Sequence, residues 1–331
     1  MSAEARHVPD RLEPRVSAAL RSWETLLIIV AVLIFIFNSF ASPHFLDAWT
    51  LSDMTFNFTE KALIALPMAL LIIAGEIDLS VAAILALSST AMGFAMQFGF
   101  GTPMLVCVGM IVGLICGAFN GVLVTGLNLP SIVVTIGTRS LFRGLAFIVL
   151  GDQVYKNYPD GFDYFGQGYI VWVISFELML FLAFALVFGF VLHFTNFGRR
   201  LYFIGRNQTA SLFSGVNVKR TKFILFCLTG VMSGIASVLL TSRLGSTRPS
   251  IAQGFELEAI TMVVLGGVAI TGGAGTIVGV VIAALIMGLV TFGFGLLNVP
   301  GIVMSIFVGL LLIGVIALPI LWKRFMWGLK K

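Results

Sequence analysis

Leu127-Asn128-Leu129-Pro130-Ser131-Ile132-Val133 returns 170 residues later as Leu297-Asn298-Val299-Pro300-Gly301-Ile302-Val303. The match runs backwards from both copies without a gap. Gly113-Leu114-Ile115-Cys116-Gly117 aligns with Ala283-Ala284-Leu285-Ile286-Met287, and Gly109 with Gly279. Further upstream, Gly75-Glu76-Ile77-Asp78-Leu79 resembles Gly254-Phe255-Glu256-Leu257-Glu258. Matches in one order mark a duplicated unit, with halves at about 61–150 and 254–322. Proline lacks an amide donor and disfavours a helical residue before it, so each Asn-x-Pro junction reverses the chain.

The surroundings of the repeat are apolar. Of 331 residues, 59% are hydrophobic and 11% charged, with mean hydropathy +1.05. Soluble domains carry about 25% charged residues, so this composition reads as an all-α polytopic membrane protein. The net charge of +5 sits at the termini and between residues 195 and 222. That is the positive-inside pattern of a protein in a lipid bilayer rather than a nucleic-acid surface. Cys107, Cys116 and Cys227 lack metal-ligand spacing and read as small buried hydrophobes; no metal site is expected.

Ten apolar segments follow one another, at about 25–41, 61–76, 80–97, 103–125, 131–150, 169–195, 223–241, 257–271, 276–297 and 301–322. Residues 1–24 and 323–331 read as tails, and 25–41 as an uncleaved first span. Residues 43–61 and 151–168 read as loops. Placing both termini and the 195–222 loop in the cytoplasm requires about ten transmembrane helices. The repeat then pairs the fourth span with the ninth, and an odd offset makes the two copies antiparallel. Inverted-topology repeats are typical of transporters; an inert anchor needs none.

Carboxylates inside apolar segments must face protein, water or a cation. Glu76 and Asp78 therefore mark a candidate pathway, with the short 61–76 segment read as part of a broken helix. Asp78 or Ser80 capping a helix is the structural alternative. Arg139 and Arg143 share a helix face and are expected to pair with Glu76 or Asp78, or to reach the interface. Gly109, Gly113, Gly117 and Gly121 form a smooth face for close helix packing, and Asn120 beside them is a pathway candidate. The 195–222 loop reads as a surface helix that engages a partner. No phosphate-binding loop of the Gly-x-x-x-x-Gly-Lys-Ser/Thr type occurs, and no catalytic constellation is visible.

These features resemble the permease subunits of bacterial ATP-binding-cassette importers for monosaccharides, the family of the ribose permease. The resemblance runs from about 25 to 322. Its marks are Gly75-Glu76-Ile77-Asp78-Leu79-Ser80-Val81, Ile132-Val133-Val134-Thr135-Ile136-Gly137-Thr138 with Arg143-Gly144, Gly198-Arg199 through Gly205-Arg206-Asn207, and Glu256-Leu257-Glu258-Ala259-Ile260 through Gly272-Gly273. It implies a fold like the vitamin B12 permease in a bacterial inner membrane. It also implies a second permease subunit, a periplasmic sugar-binding protein and a cytoplasmic ATP-binding subunit that holds ATP and Mg, with no cofactor on this chain. Glu76, Asp78, Ser80, Asn120, Thr135, Glu256 and Glu258 become the expected substrate pathway. Gly198, Arg199, Gly205, Arg206, Asn207, Ala210 and Gly215 become the expected ATPase coupling loop. Two positions depart from the family pattern: Glu76 replaces a glycine, and Arg206 replaces the second glycine of Gly-Gly-Asn. Rhamnose and autoinducer-2 importers look nearest, rhamnose first. An ion-coupled secondary transporter using Glu76 or Asp78 is the alternative.

Overall fold

A computed structural model describes residues 23–151 and 153–328. Those residues form thirteen helices in the order α1 (Trp23–Ala41), α2 (Ala48–Ile73), α3 (Val81–Met96), α4 (Thr102–Gly126), α5 (Ser131–Leu150), α6 (Tyr164–Gln167), α7 (Phe176–Phe194), α8 (Asn196–Arg206), α9 (Gln208–Phe213), α10 (Val218–Leu244), α11 (Phe255–Leu265), α12 (Ile277–Leu296) and α13 (Gly301–Gly328). Four short strands, β1 (Tyr155–Lys156), β2 (Tyr169–Val171), β3 (Ile174–Ser175) and β4 (Ser246–Thr247), pair antiparallel as β1–β4 and β2–β3. The expected N-terminal tail lies outside the described residues up to Trp23, and α13 runs past the expected boundary at 322.

Each of the ten apolar segments carries a helix, but only seven helices among the described residues are long and apolar enough to cross a membrane. At 1.5 Å per residue, α11, with 11 residues, reaches about half of a ~30 Å hydrocarbon core. The segment 257–271 is therefore not a continuous span. Its helix stops at Leu265, and Gly267, Gly272, Gly273 and Gly275 follow with positive φ. Irregular backbone at membrane depth is tolerated where protein surrounds it.

The second segment departs in the opposite direction. Instead of a loop to Lys61 and a short broken helix, α2 runs 26 residues without a break, passing through Pro67. Asp47 starts it by accepting the amides of Trp49 (3.2 Å) and Thr50 (3.3 Å), an N-cap of the usual kind. The expected loop carried Asp47, Asp53 and Glu60, but Asp47 caps the helix, and Glu60 and its neighbour Lys61 find partners on other helices. From Ala62 to Ile73 the helix is buried on every side. It forms the axis of the molecule, enclosed by α7, α10, α11 and α12.

The expected glycine face packs α4 along α10. A methyl group on Gly113 would strike the carbonyl of Gly230, one on Gly117 that of Phe226, and one on Gly109 would lie 2.9 Å from Met92 Sδ. Gly121 packs on Phe223. On α10, Gly230 and Gly234 answer with the same spacing; a methyl on Gly234 would sit 2.6 Å from the Gly109 carbonyl. This contact is backbone on backbone, where van der Waals attraction between helices is strongest. The cysteines are all free, and Cys107 is exposed on α4 rather than buried.

The repeat junctions have one geometry. Asn128 and Asn298 are both left-handed, at φ 54° and 55°, a conformation Asn tolerates better than most side chains. In the second copy Val299 N reaches Phe294 O at 2.9 Å, the six-to-one bond that closes a helix. Pro130 and Pro300 then supply the first acceptor of the next helix, to Val134 N (3.1 Å) and Met304 N (3.3 Å). Gly75 and Gly254 also share positive φ, at 83° and 89°. Helices far apart in the chain pack together: α10 lies on α4, and α2 lies on α12.

Candidate coupling and translocation sites

Four of the expected pathway residues meet in one buried knot. The non-helical link between α2 and α3 places Asp78 where its Oδ1 accepts the Ser80 amide at 2.8 Å and the Ser80 hydroxyl at 2.6 Å. Thr229 of α10 donates to Oδ2 at 3.4 Å, and Asn120 of α4 donates to Ser80 Oγ at 2.8 Å. From α5, Ser131 Oγ accepts the Ile77 amide at 3.3 Å, and Thr135 Oγ1 bonds Ser131 O at 2.8 Å. Asp78, Ser80, Asn120 and Thr135 are all 0% exposed. The knot pins α3, α4, α5 and α10 together.

The remaining acids lie elsewhere. Glu76 pairs with Lys222 of α10, whose Nζ also donates to Gln208 Oε1 of α9 at 2.9 Å. Glu256, 1% exposed, lies 2.6 Å from Arg139 Nη2 without hydrogen-bond alignment. Arg143 donates to three carbonyls, Pro249 (2.6 Å), Ile251 (2.7 Å) and Ala82 (3.2 Å). The expected pairing of Arg139 and Arg143 with Glu76 or Asp78 is thus wrong. Both arginines reach the segment before and at the start of α11, and Lys222 takes Glu76 instead. Lys61 Nζ meets Glu258 Oε2 at 2.7 Å and lies 4.8 Å from the Phe255 ring centre. Two of the expected pathway acids line cavities: Glu258 one of about 530 Å³ between α2, α11, α12 and α13, and Glu76 one of about 320 Å³ beside Asn128, Gln208 and Lys222.

A third cluster, Glu60, Arg243 and Glu177, was not expected from the sequence. Arg243 Nε binds Glu60 Oε1 at 2.6 Å, and both acids are 0% exposed. Neither Glu177 oxygen has a hydrogen-bond partner. Charges so far apart in the chain carry no local signal.

The basic segment folds as two short helices. Thr195 Oγ1 caps α8 by accepting Gly198 N at 3.3 Å, and Asn207 Oδ1 caps α9 by accepting Ala210 N at 2.9 Å. Leu201 and Ile204 are buried while Arg199 and Arg200 are exposed, so α8 is amphipathic. The expected coupling residues divide between its two faces. A methyl group on Gly198 would overlap the Leu192 carbonyl, and one on Gly205 would overlap Ile73 O and Gly273 N. Tyr202 reaches Gly275 O at 2.7 Å, and Arg206 Nε reaches Gly273 O at 3.3 Å. Gly273 N in turn bonds Ile73 O at 2.9 Å. The end of α2, the glycine bend before α12 and α8 therefore form one joint. On the outer side, Arg199, Phe203, Arg206, Asn207 and Ala210 line a groove of about 480 Å³. Phe203 (60%) and Phe213 (89%) are exposed. Gly215 makes the positive-φ turn into α10.

Comparison with known proteins places this geometry. A family model described as branched-chain amino acid transport system, permease component, matches residues 50–316, from α2 into α13. The chain is 36% identical over 291 residues to the ribose import permease protein RbsC of Bacillus subtilis (strain 168), covering 87% of this chain and 88% of that one. It is 33% identical over 301 residues to the autoinducer 2 import system permease protein LsrD of Enterobacter sp. (strain 638), covering 89% and 92%. The corresponding protein of Escherichia coli (strain K12) is 34% identical over 300 residues, covering 89% and 91%. No solved structure matches the chain.

Proposed function

The chain belongs to the family of branched-chain amino acid transport system permease components, and within it we propose the membrane subunit of an ATP-driven importer for a monosaccharide or an autoinducer-2-like solute. As a family member it is a multi-pass, non-catalytic transport subunit. The observation that carries the solute class is likeness, over nearly the whole chain, to import permeases named for ribose and for autoinducer 2. Rhamnose rests on the sequence resemblance alone.

In this reading a periplasmic binding protein delivers the solute, and a cytoplasmic ATP-binding subunit supplies the energy. Both termini and α8–α9 face the cytoplasm of a bacterial inner membrane. Two permease subunits, each with two inverted halves, enclose the path. The groove-bearing face of α8–α9 receives the ATPase, and the joint on the other face passes movement to α2 and α12. Alternating access then follows from rigid bodies rocking about packed helices. The ion-coupled alternative is less favoured, since of its two carboxylates Glu76 pairs with Lys222 and Asp78 is fully enclosed.

Co-purification with the ATP-binding subunit tests the assignment of α8–α9. Phe213→Asp and Arg199→Glu, both on exposed positions, should lose the ATPase while the permease still inserts and elutes as a folded species. Retention of the ATPase by both variants would remove the coupling role from this segment.

A further inference from the structure

The cavity between α2, α11, α12 and α13, about 530 Å³, lies within the size range of small-molecule sites, roughly 300–1,000 Å³. The Lys61–Glu258 pair forms part of its wall, with the two side chains 14% and 21% exposed. One ammonium proton goes to Glu258 Oε2, which leaves further N–H donors and the second carboxylate oxygen for a guest. Asn57 spends its amide N–H on Asp53 O at 3.3 Å and keeps its side-chain carbonyl. Thr291 and Ser305 donate to the carbonyls of Met287 (2.8 Å) and Gly301 (3.2 Å) and keep oxygen lone pairs. The wall thus offers donors and acceptors together, at zero net charge.

Two glycines supply an independent observation. Gly295 of α12 and Gly309 of α13 line the cavity, and a methyl group on either would meet nothing within 4 Å. A glycine inside a helix is unfavourable relative to alanine. Unlike Gly113 or Gly205, these two have no close neighbour that demands it. What the missing side chains preserve is the open volume.

We propose that this cavity is a solute subsite inside the single permease subunit, fitted to a neutral, polyhydroxylated molecule of monosaccharide size. The Lys61–Glu258 pair and the hydroxyls of Thr291 and Ser305 are its polar contacts. A charged solute would find no uncompensated partner, whereas a polyol satisfies both members of the ion pair through charge-assisted hydrogen bonds. The proposal rests on the import reading above and extends it from the path between subunits to a stop within each.

The test uses the whole complex in proteoliposomes, with labelled ribose and labelled rhamnose as probes and co-purification as the check on assembly. Gly295→Leu and Gly309→Leu fill the space and should abolish uptake in complexes that assemble normally, while Gly309→Ala should reduce it less. Glu258→Gln should raise the KM about tenfold, on the scale of one weakened charged hydrogen bond. The paired variant Thr291→Val with Ser305→Ala removes hydroxyls without changing bulk and should raise KM as well. Unchanged uptake with Leu at 295 or 309, or unchanged KM in the hydroxyl-deleted variant, overturns the subsite. Failure of the import reading shows separately, as absence of ATP-dependent uptake of either sugar by the wild type, and takes the subsite with it.

Discussion

At Gly113 a single added methyl group would collide with the backbone of Gly230, while at Gly137 it would meet nothing within 4 Å. Gly113→Ala should therefore force α4 and α10 apart and lower the thermal unfolding temperature of the detergent-solubilised chain. Gly137→Ala should leave it unchanged or raise it, since alanine gains about 1 kcal/mol in a helix interior. The four-residue spacing of the α4 glycines was readable in the sequence. Gly230 and Gly234, four apart as well, carried the signal for their partner. Charge was harder to read at this scale. Arg243→Ala strands the buried Glu60 carboxylate and should cost about 3–5 kcal/mol. Arg243→Met combined with Glu60→Gln should recover much of that loss in the same unfolding assay.

Helix boundaries depend on partners that a local pattern does not contain. The first three turns of α2, with Asp53 and Glu60, looked like a loop, yet Glu60 and its neighbour Lys61 have partners, Arg243 and Glu258, more than 180 residues further on. The two Asn-x-Pro junctions were legible, because proline and a left-handed asparagine act through local sterics. Asn298→Gly should be neutral, and Asn298→Ile should destabilise the α12–α13 junction by about 1–2 kcal/mol, read by thermal unfolding. The resemblance singled out the α8–α9 segment but not its two faces. Gly205 is a docking residue, so Gly205→Ala should dislodge α8 from Ile73 and Gly273 and lower transport per ATP hydrolysed in the assembled complex. Equal transport per ATP in that variant would mean that the joint carries no motion. Both departures from the family pattern fall at this end. Glu76 answers Lys222, and Arg206 answers the Gly273 carbonyl.

Across the whole molecule, the four ion pairs among the described residues share one property. Lys61–Glu258, Arg139–Glu256, Lys222–Glu76 and Arg243–Glu60 each join a residue between 60 and 139 to one between 222 and 258. Charges in this chain fasten α2, the α2–α3 link and α5 to α10 and α11, while small-residue packing holds α4 on α10. Of the four acids expected in the pathway, Glu76, Glu256 and Glu258 each belong to such a pair, and Asp78 does not. In the proposed import cycle, movement of α10 and α11 against α2 and α5 strains or exchanges these pairs. The central claim is that this motion is driven by ATP and serves import. It is tested most directly by the initial rate of labelled-sugar uptake into proteoliposomes holding the permease, its ATP-binding subunit and its binding protein, with ion gradients collapsed by ionophores. The account predicts uptake that requires ATP and persists without any gradient; uptake driven by an imposed ion gradient in the absence of ATP would contradict it.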